Sequence, residues 1–448
     1  MGYVAERREP RVAVIGLGYV GACIAAALAE RGLDVAGIDV DPHLVEELLR
    51  GHCRFEEPNL ADLLRAGVET GRLHIGTDYA AVTEADVVLV TVGTPVQLDG
   101  SLADKQLRSA CVELSRHLRP ETLVVVKSTV PPGTTRNFVL PLLARGGLVG
   151  GTDFGLAFTP ERLAEGTALR ELRTFPIVTG GLDSDSARDA EMFWRRALGV
   201  DVVRVESLEA AEVVKLADNW WIDLNIALAN ELAKFSALYN VDVLEVIQAA
   251  NGIPKGAGTV NILLPSVGVG GSCLTKDPWM VWHSAQQQGL EILTAPAGRR
   301  VNTGMPAYTA QLIVDELAAF GRAARGARVA VLGLAFKNDT GDLRATPVLP
   351  TVEALWDAGC EVRLHDPLVD PDEAEKLFGV PPVADLSAAV RDVDCVAVLA
   401  HHRPFREIDF AALPVNQPCL VLDGRAYYSR ERIAELRAAG LHYRGIGR

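Results

Sequence analysis

The chain has 448 residues, a hydrophobic share of 49%, a charged share of 23% and a formal net charge of −14. That length exceeds one ordinary core and predicts two or three domains of a soluble globular protein. The acidic balance excludes nucleic acid and anionic membranes as partners, since both reward basic surfaces.

No apolar run approaches the roughly 20 residues of a membrane span. The opening MGYVAERREP has no signal-peptide core, so residues 1–10 read as a polar tail and the protein as cytoplasmic. Seven cysteines, odd in number and without a CxxC pair, argue against a disulfide framework and against a zinc pattern. Adjacent His401 and His402 would point apart on an extended segment, so no metal is expected there.

Over residues 11–206, strand-like runs alternate with helical patterns: RVAVIGLG, DVAGIDV, DVVLVTVGTP, TLVVVKST, FGLAFTP and FPIVTGG. Runs apolar on both faces and separated by helices predict a parallel, doubly wound sheet. The first run leads into GLGYVG, with Gly16, Gly18 and Gly21 in a G-x-G-x-x-G pattern around Tyr19 and Val20. A strand before it and an Ala/Leu-rich helix after it make this a dinucleotide fingerprint, in which glycines let the backbone approach a pyrophosphate. Asp39 ends the next strand and suits the ribose hydroxyls. Its charge would repel a 2′-phosphate, which predicts NAD rather than NADP. VGTP, with Gly93 and Thr94, and STVPPGTT, with Ser128 and Thr129, end strands at the same sheet edge and offer hydroxyls there.

Residues 207–305 read as all-helical. SLEAAEVVKLADNWWIDLNIALANELAKFSALYN keeps helical periodicity with no Pro or Gly, a long spine that suits a connector or a dimer interface. Over 306–448 the first pattern returns in RVAVLGLAFK, EVRLHDP, DCVAVLAHH and CLVLDGR. RVAVLGLA nearly repeats RVAVIGLG, but Phe336 and Lys337 stand where the fingerprint should turn into a helix. The expected fold is α/β: two doubly wound Rossmann-like domains joined by an all-helical central domain. The first would bind a dinucleotide. The second would bind another anionic ligand, with Lys337 meeting a phosphate as a point charge.

The stretch SVGVGGSCLTKDP places Cys273 behind Gly270 and Gly271 and ahead of Lys276 and Asp277. The glycines would allow close approach of a substrate, and the ammonium of Lys276 or Lys215 would favour the thiolate. Spacing alone leaves a catalytic thiol and a packing thiol equally open.

The motifs GLGYVG, GTP, STVPPGTT, PERLAEGTA, KLADNWWIDLNIALANELA, GVGGSCLTKDP, VNTGMP, GLAFKNDTGDLRATP and LDGRAYY cover nearly the whole chain in order. In these the chain resembles the UDP-glucose/GDP-mannose dehydrogenase family. The resemblance implies NAD-dependent, four-electron oxidation of the C6 alcohol of a nucleotide-diphosphate sugar. Cys273 would carry a thiohemiacetal and then a thioester. Lys215 and Asn219 would stabilise the oxyanion, Asp277 and Thr129 would position water, and Glu161 would act as the base of thioester hydrolysis. Gly16, Gly18, Tyr19, Val20, Gly21, Asp39, Gly93, Thr94, Thr129, Glu165 and Arg344 would contact the cofactor. Glu161, Leu163, Lys215, Asn219, Phe336, Lys337 and Arg425 would contact the nucleotide sugar. A homodimer or higher homo-oligomer is implied.

One departure stands out. Family members usually carry an arginine shortly before the cysteine motif. Here GIPKGAGTVNILLPSVGVGGSC has none, with Thr259 ahead of VNIL and Lys255 the only nearby cation. VNIL…VGVGGSC leans toward N-acetylhexosamine substrates, whereas GGSCLTKD and KNDTGDLR lean toward glucose. UDP-glucose is the expected substrate, with UDP-N-acetylmannosamine, UDP-N-acetylglucosamine and dTDP-glucose as alternatives. A two-electron hydroxyacid or phosphogluconate-type dehydrogenase and a non-catalytic nucleotide-binding protein are the competing readings, and neither needs Cys273.

Overall fold

A computed structural model describes residues 9–256 and 258–448. Backbone contacts divide them into two compact units. The first comprises the described residues up to Asp218 with Met280–Leu290, and the second Asn219–Trp279 with Glu291–Arg448. The predicted spine is one helix of 31 residues, Leu208–Leu238.

The first unit holds an eight-stranded sheet: β1 (Val12–Ile15), β2 (Val35–Ile38), β3 (Leu73–Gly76), β4 (Val87–Val90), β5 (Leu123–Val126), β6 (Gly155–Phe158), β7 (Ile177–Gly181) and β8 (Val202–Arg204). Their order is β3-β2-β1-β4-β5-β6-β7-β8. Strand residues alternate between two cores. Val12 and Val14 pack on one side with the helix Tyr19–Glu30, while Ala13 and Ile15 pack on the other with Lys105–His117. Burial on both faces is why these runs are continuously apolar.

The expected parallel sheet holds through β6. There β7 pairs antiparallel to β6, and β8 runs parallel to β7. An apolar run reads alike in either direction, so the reversal leaves no mark in its composition. Two strands escaped the sequence reading, because β3 exposes His74 and β8 exposes Val203 and Arg204.

In the second unit a short antiparallel hairpin pairs β9 (Pro254–Lys255) with β10 (Gly258–Thr259), where Lys255 and Thr259 are exposed. The main sheet comprises β11 (Arg328–Leu332), β12 (Glu361–His365), β13 (Cys395–Val398), β14 (Leu420–Asp423) and β15 (His442–Gly445). It is parallel throughout, in the order β12-β11-β13-β14-β15. Both units therefore have a doubly wound switch point, at β1/β4 and at β11/β13, where such sheets bind ligands.

The repeat seen in the sequence is a repeat of geometry. Gly16 and Gly333 both turn with positive φ, +94° and +84°. Arg11 N–H donates to Asp86 at 3.0 Å, and Arg328 N–H to Asp394 at 2.9 Å. Leu17 N–H donates to Asp39 at 2.6 Å, and Leu334 N–H to Asp366 at 2.7 Å. Among the described residues no helix is long and apolar enough to cross a membrane.

Candidate active site

In the first unit β1, β2, β4, β5 and β6 run parallel, so their C-terminal ends share one edge. That edge collects Gly16 to Gly21, Asp39, Gly93 and Thr94, Ser128 and Thr129, and Glu161. A Cβ on Gly21 would lie 1.9 Å from the Gly16 carbonyl oxygen, so the turn admits only glycine there. A Cβ on Gly18 would meet nothing within 4 Å and would fill open space in front of the helix N-terminus. No side chain caps that helix, which leaves its first N–H groups for an anion. Asp39 is fixed by Leu17 N–H on Oδ2 and by Asp41 N–H, 2.9 Å away, on Oδ1. This cradle fits the pyrophosphate and ribose of NAD.

Tyr19 serves a second purpose. Its hydroxyl donates to Glu57 Oε2 at 2.5 Å. Burial, reinforced by Glu57, pushes the phenol well above its ordinary range. Glu57 also accepts from Gly166 N–H at 2.7 Å and Leu169 N–H at 3.1 Å, which ties the glycine turn to the segment after Glu161. Ser128 Oγ donates to Val92 O at 2.6 Å, joining the two hydroxyl-bearing loops. Thr94 is buried, while Val20 and Thr129 are half-buried.

Glu161 follows β6. Its Oε1 accepts from Arg162 N–H at 2.7 Å and Leu163 N–H at 2.9 Å, and its Oε2 lies 3.2 Å from Lys127 Nζ. That second contact is close in charge but lacks hydrogen-bond alignment. The Leu163 side chain packs on the core, and Glu165 is half-buried. Lys215 is buried on the spine helix, one turn before Asn219.

In the second unit Cys273 is exposed, on a turn that leads into the helix Asp277–Gln287. Its carbonyl accepts from Asp277 N–H at 2.9 Å and Lys276 N–H at 3.2 Å. Asp277 is fully buried, with Lys276 Nζ 2.5 Å from Oδ1 and Asn219 Nδ2 2.5 Å from Oδ2. Lys276, expected as a charge for the thiol, is thus neutralised by Asp277.

The glycines before Cys273 also have a nearer partner than a substrate. A Cβ on Gly270 would lie 2.5 Å from Phe336 Cβ and 2.6 Å from Ala345 O. Gly271, at φ +82°, would meet Phe336 Cε2 at 2.8 Å and donates its N–H to Arg344 O at 3.0 Å. The run is glycine because the loop over 336–347 presses against it. That loop is tied in turn to Arg425, whose guanidinium donates to the Phe336 carbonyl. Arg344 pairs with Asp342 at 2.5 Å, and Lys337 is half-buried.

Sequence reasoning missed three groups. Lys127 and Glu57 hold the Glu161 segment; the only signal was that lysine is rare in an arginine-rich chain. The third is His402, which is fully buried. Its Nδ1 accepts from Asp339 N–H at 2.8 Å, so Nε2 carries the proton and donates to Asp366 at 2.9 Å. Among the described residues no group of three or more His, Cys, Asp or Glu is placed to hold a metal.

The chain matches the NAD binding domain of the UDP-glucose/GDP-mannose dehydrogenase family over residues 10–198. It matches the central domain over 209–304 and the UDP binding domain over 330–430. It is 32% identical to a UDP-N-acetyl-D-mannosamine dehydrogenase of Pyrococcus horikoshii, over 98% of this chain and 99% of that one. It is 34% identical to one from Escherichia coli, over 89% of this chain and 95% of the relative. A solved UDP-glucose dehydrogenase from Pyrobaculum islandicum superposes with a TM-score of 0.87 at 32% identity, over 98% of both chains. With three domains matched in order, a dinucleotide cradle at one switch point and an exposed cysteine on a glycine-locked turn, the chain belongs to the UDP-glucose/GDP-mannose dehydrogenase family and is an NAD-dependent nucleotide-sugar dehydrogenase.

Proposed function

We propose that this enzyme oxidises the C6 primary alcohol of a UDP-sugar to a carboxylate, with two NAD reduced per sugar. NAD, when bound, supplies the hydride acceptor. In this reading Cys273 adds as thiolate to the C6 aldehyde, because a free aldehyde has no readily released hydride until a nucleophile adds. Loss of the second hydride leaves a thioester. Water then forms the new C–O bond, its proton passes to Glu161, and the sulfur leaves as thiolate. Lys215 and Asn219 stabilise the oxyanion, and Thr129 with Asp277 positions water. Asp277 does so as a carboxylate already holding Asn219 and Lys276. Phe336, Lys337, Leu163 and Arg425 take the nucleotide diphosphate, and Glu165 and Arg344 the cofactor. The division at 11–206, 207–305 and 306–448 then separates cofactor, spine and nucleotide functions. The observation that carries the reading is the cysteine itself: of seven, only Cys273 is exposed, and its turn is locked by Phe336.

For the sugar we favour N-acetylmannosamine over glucose. The curated relatives named above act on it, and the VNIL…VGVGGSC stretch leans the same way. UDP-glucose is the second reading, favoured by the Pyrobaculum structure and by GGSCLTKD. Assembly belongs to the same proposal: Val213, Trp221, Leu228 and Phe235 are exposed along one side of the spine helix, a face that a second copy would cover.

The test is NADH release from UDP-N-acetylmannosamine, UDP-N-acetylglucosamine, UDP-glucose and dTDP-glucose at fixed enzyme. Two NADH per sugar are expected, with UDP-N-acetylmannosamine fastest and Cys273→Ala inactive in the second oxidation. One NADH per sugar, or full turnover by Cys273→Ala, would return the chain to two-electron chemistry.

A further inference from the structure

Lys127 directly follows β5 in the first unit, and its side chain is only 3% exposed. Among the described residues the groups around its ammonium are few. Glu161 Oε2 lies at 3.2 Å, Thr159 O at 3.5 Å, and the ring of Trp194 at 4.8 Å from its centroid. Trp194 is fully buried and donates its indole N–H to Thr159 Oγ1 at 3.2 Å. Thr159 Oγ1 in turn meets Thr179 Oγ1 at 3.1 Å. The wall beneath the ammonium is therefore rigid and largely aromatic. Its contact with a carboxylate is with Glu161.

A buried ion pair is a poor device for stability, because an apolar residue of similar volume commonly serves as well or better. The floor under Lys127 would accept such a residue. What an apolar side chain could not do is fix Glu161. Two backbone N–H groups hold Oε1 of that carboxylate, and among the described residues the ammonium is the charge that faces Oε2. Oε2 is buried and makes no aligned hydrogen bond, so the ammonium meets it as a charge. Two backbone donors on one oxygen and a point charge on the other together fix the orientation of the carboxylate.

We propose that Lys127 is a positioning residue for Glu161: its buried ammonium orients the Glu161 carboxylate for the water-consuming half of the reaction, the cleavage of the Cys273 thioester. The inference rests on the reaction proposed above. Lys127 touches neither water nor sugar in this scheme and acts only through Glu161. Loss of Lys127 should therefore slow thioester hydrolysis and spare the hydride transfers that precede it.

The experiment compares wild type, Lys127→Met, Lys127→Arg, Glu161→Gln and the Lys127→Met/Glu161→Gln double variant, as full chains with NAD and the fastest UDP-sugar of the panel. The NADH burst, the steady-state rate and the intact mass of the enzyme are read on each. Lys127→Met should keep the burst, lose about 100-fold in steady-state rate, and accumulate the acyl adduct on Cys273. In the Glu161→Gln background the same change should alter the rate by no more than about twofold, since a group acting through Glu161 has nothing left to act on. Lys127→Arg should recover part of the rate by restoring the charge. The proposal is overturned if Lys127→Met lowers burst and steady state together without adduct, or costs as much in the Glu161→Gln background as in wild type. Should the methionine variant fail to fold by thermal melting, Lys127→Gln carries the same comparisons. A wild-type yield of one NADH per sugar overturns the reaction itself and this inference with it; a yield of two with no adduct in Lys127→Met overturns this inference alone.

Discussion

After β1 the chain turns through Gly16 and enters a helix at Tyr19; after β11 it turns through Gly333 but enters no helix until Val348. Up to that point the two turns are copies, each with a backbone N–H donating to the aspartate that ends the neighbouring strand. Asp39 is half-buried and its surroundings leave an approach for a ribose. Asp366 is buried, takes Leu334 and Leu368 N–H, and is closed by His402. In the second copy Asn338 accepts from His401 N–H at 2.9 Å, and Phe336 reaches back to the cysteine turn. One scaffold thus presents two anion sites. A helix N-terminus with an open carboxylate serves a dinucleotide. In the second copy His402 closes the same carboxylate, and in the proposed function Phe336 and Lys337 take a different phosphate ligand.

The largest expected effect breaks the first copy. Gly21→Val puts a side chain against the Gly16 carbonyl and should weaken NAD binding by more than about 100-fold, with overpacking strain of about 1–3 kcal/mol. Calorimetric NAD titration beside UDP titration checks it, and UDP affinity should hold. An intermediate effect separates the two aspartates. Asp39→Ala removes acceptors for the ribose and should raise the KM for NAD about 10- to 100-fold, while narrowing the preference for NAD over NADP. Unchanged cofactor kinetics would mean that the open carboxylate is not what distinguishes the copies.

The smallest effect concerns the plugged copy. Burial works to raise the Asp366 carboxyl, but the hydrogen bonds from His402, Leu334 N–H and Leu368 N–H outweigh it and hold the group below its ordinary value of 3.8. A depressed folded pKa contributes stability that is present above the unfolded value and is lost as pH falls through the folded one. Asp366→Asn should therefore cost about 1–3 kcal/mol at neutral pH, and the gap in melting temperature should close as pH drops below about 4. A gap that persists at acid pH would make Asp366 a packing residue only.

Much of this was legible in residues. Gly16, Gly18 and Gly21 stood between an apolar strand and an alanine-rich helix, a context in which few other arrangements are possible, and Asp39 lay at the end of the next strand. The order of motifs identified the family, and the resemblance drew attention to Cys273. What the residues did not reveal has a common cause. Gly270 and Gly271 read as room for a substrate, yet Phe336, distant in sequence, is what their missing Cβ atoms admit. His401 and His402 read as an adjacent pair, yet both are buried, and the partner of His402 is Asp366, distant in sequence. Lys127 drew no role in the sequence, because Trp194 and Glu161 meet it only after the sheet forms.

The sequence by itself determined the class of fold, the repeated sheet and the cofactor. These rest on local rules: periodicity and glycine geometry. Only the tertiary structure decided that β7 reverses, that Asp366 is closed while Asp39 is open, that Lys276 answers Asp277 rather than the thiol, and that an ammonium lies under Glu161. Each depends on which distant side chains share a buried space. Burial is what turns an ordinary charge or glycine into a constraint on its neighbours.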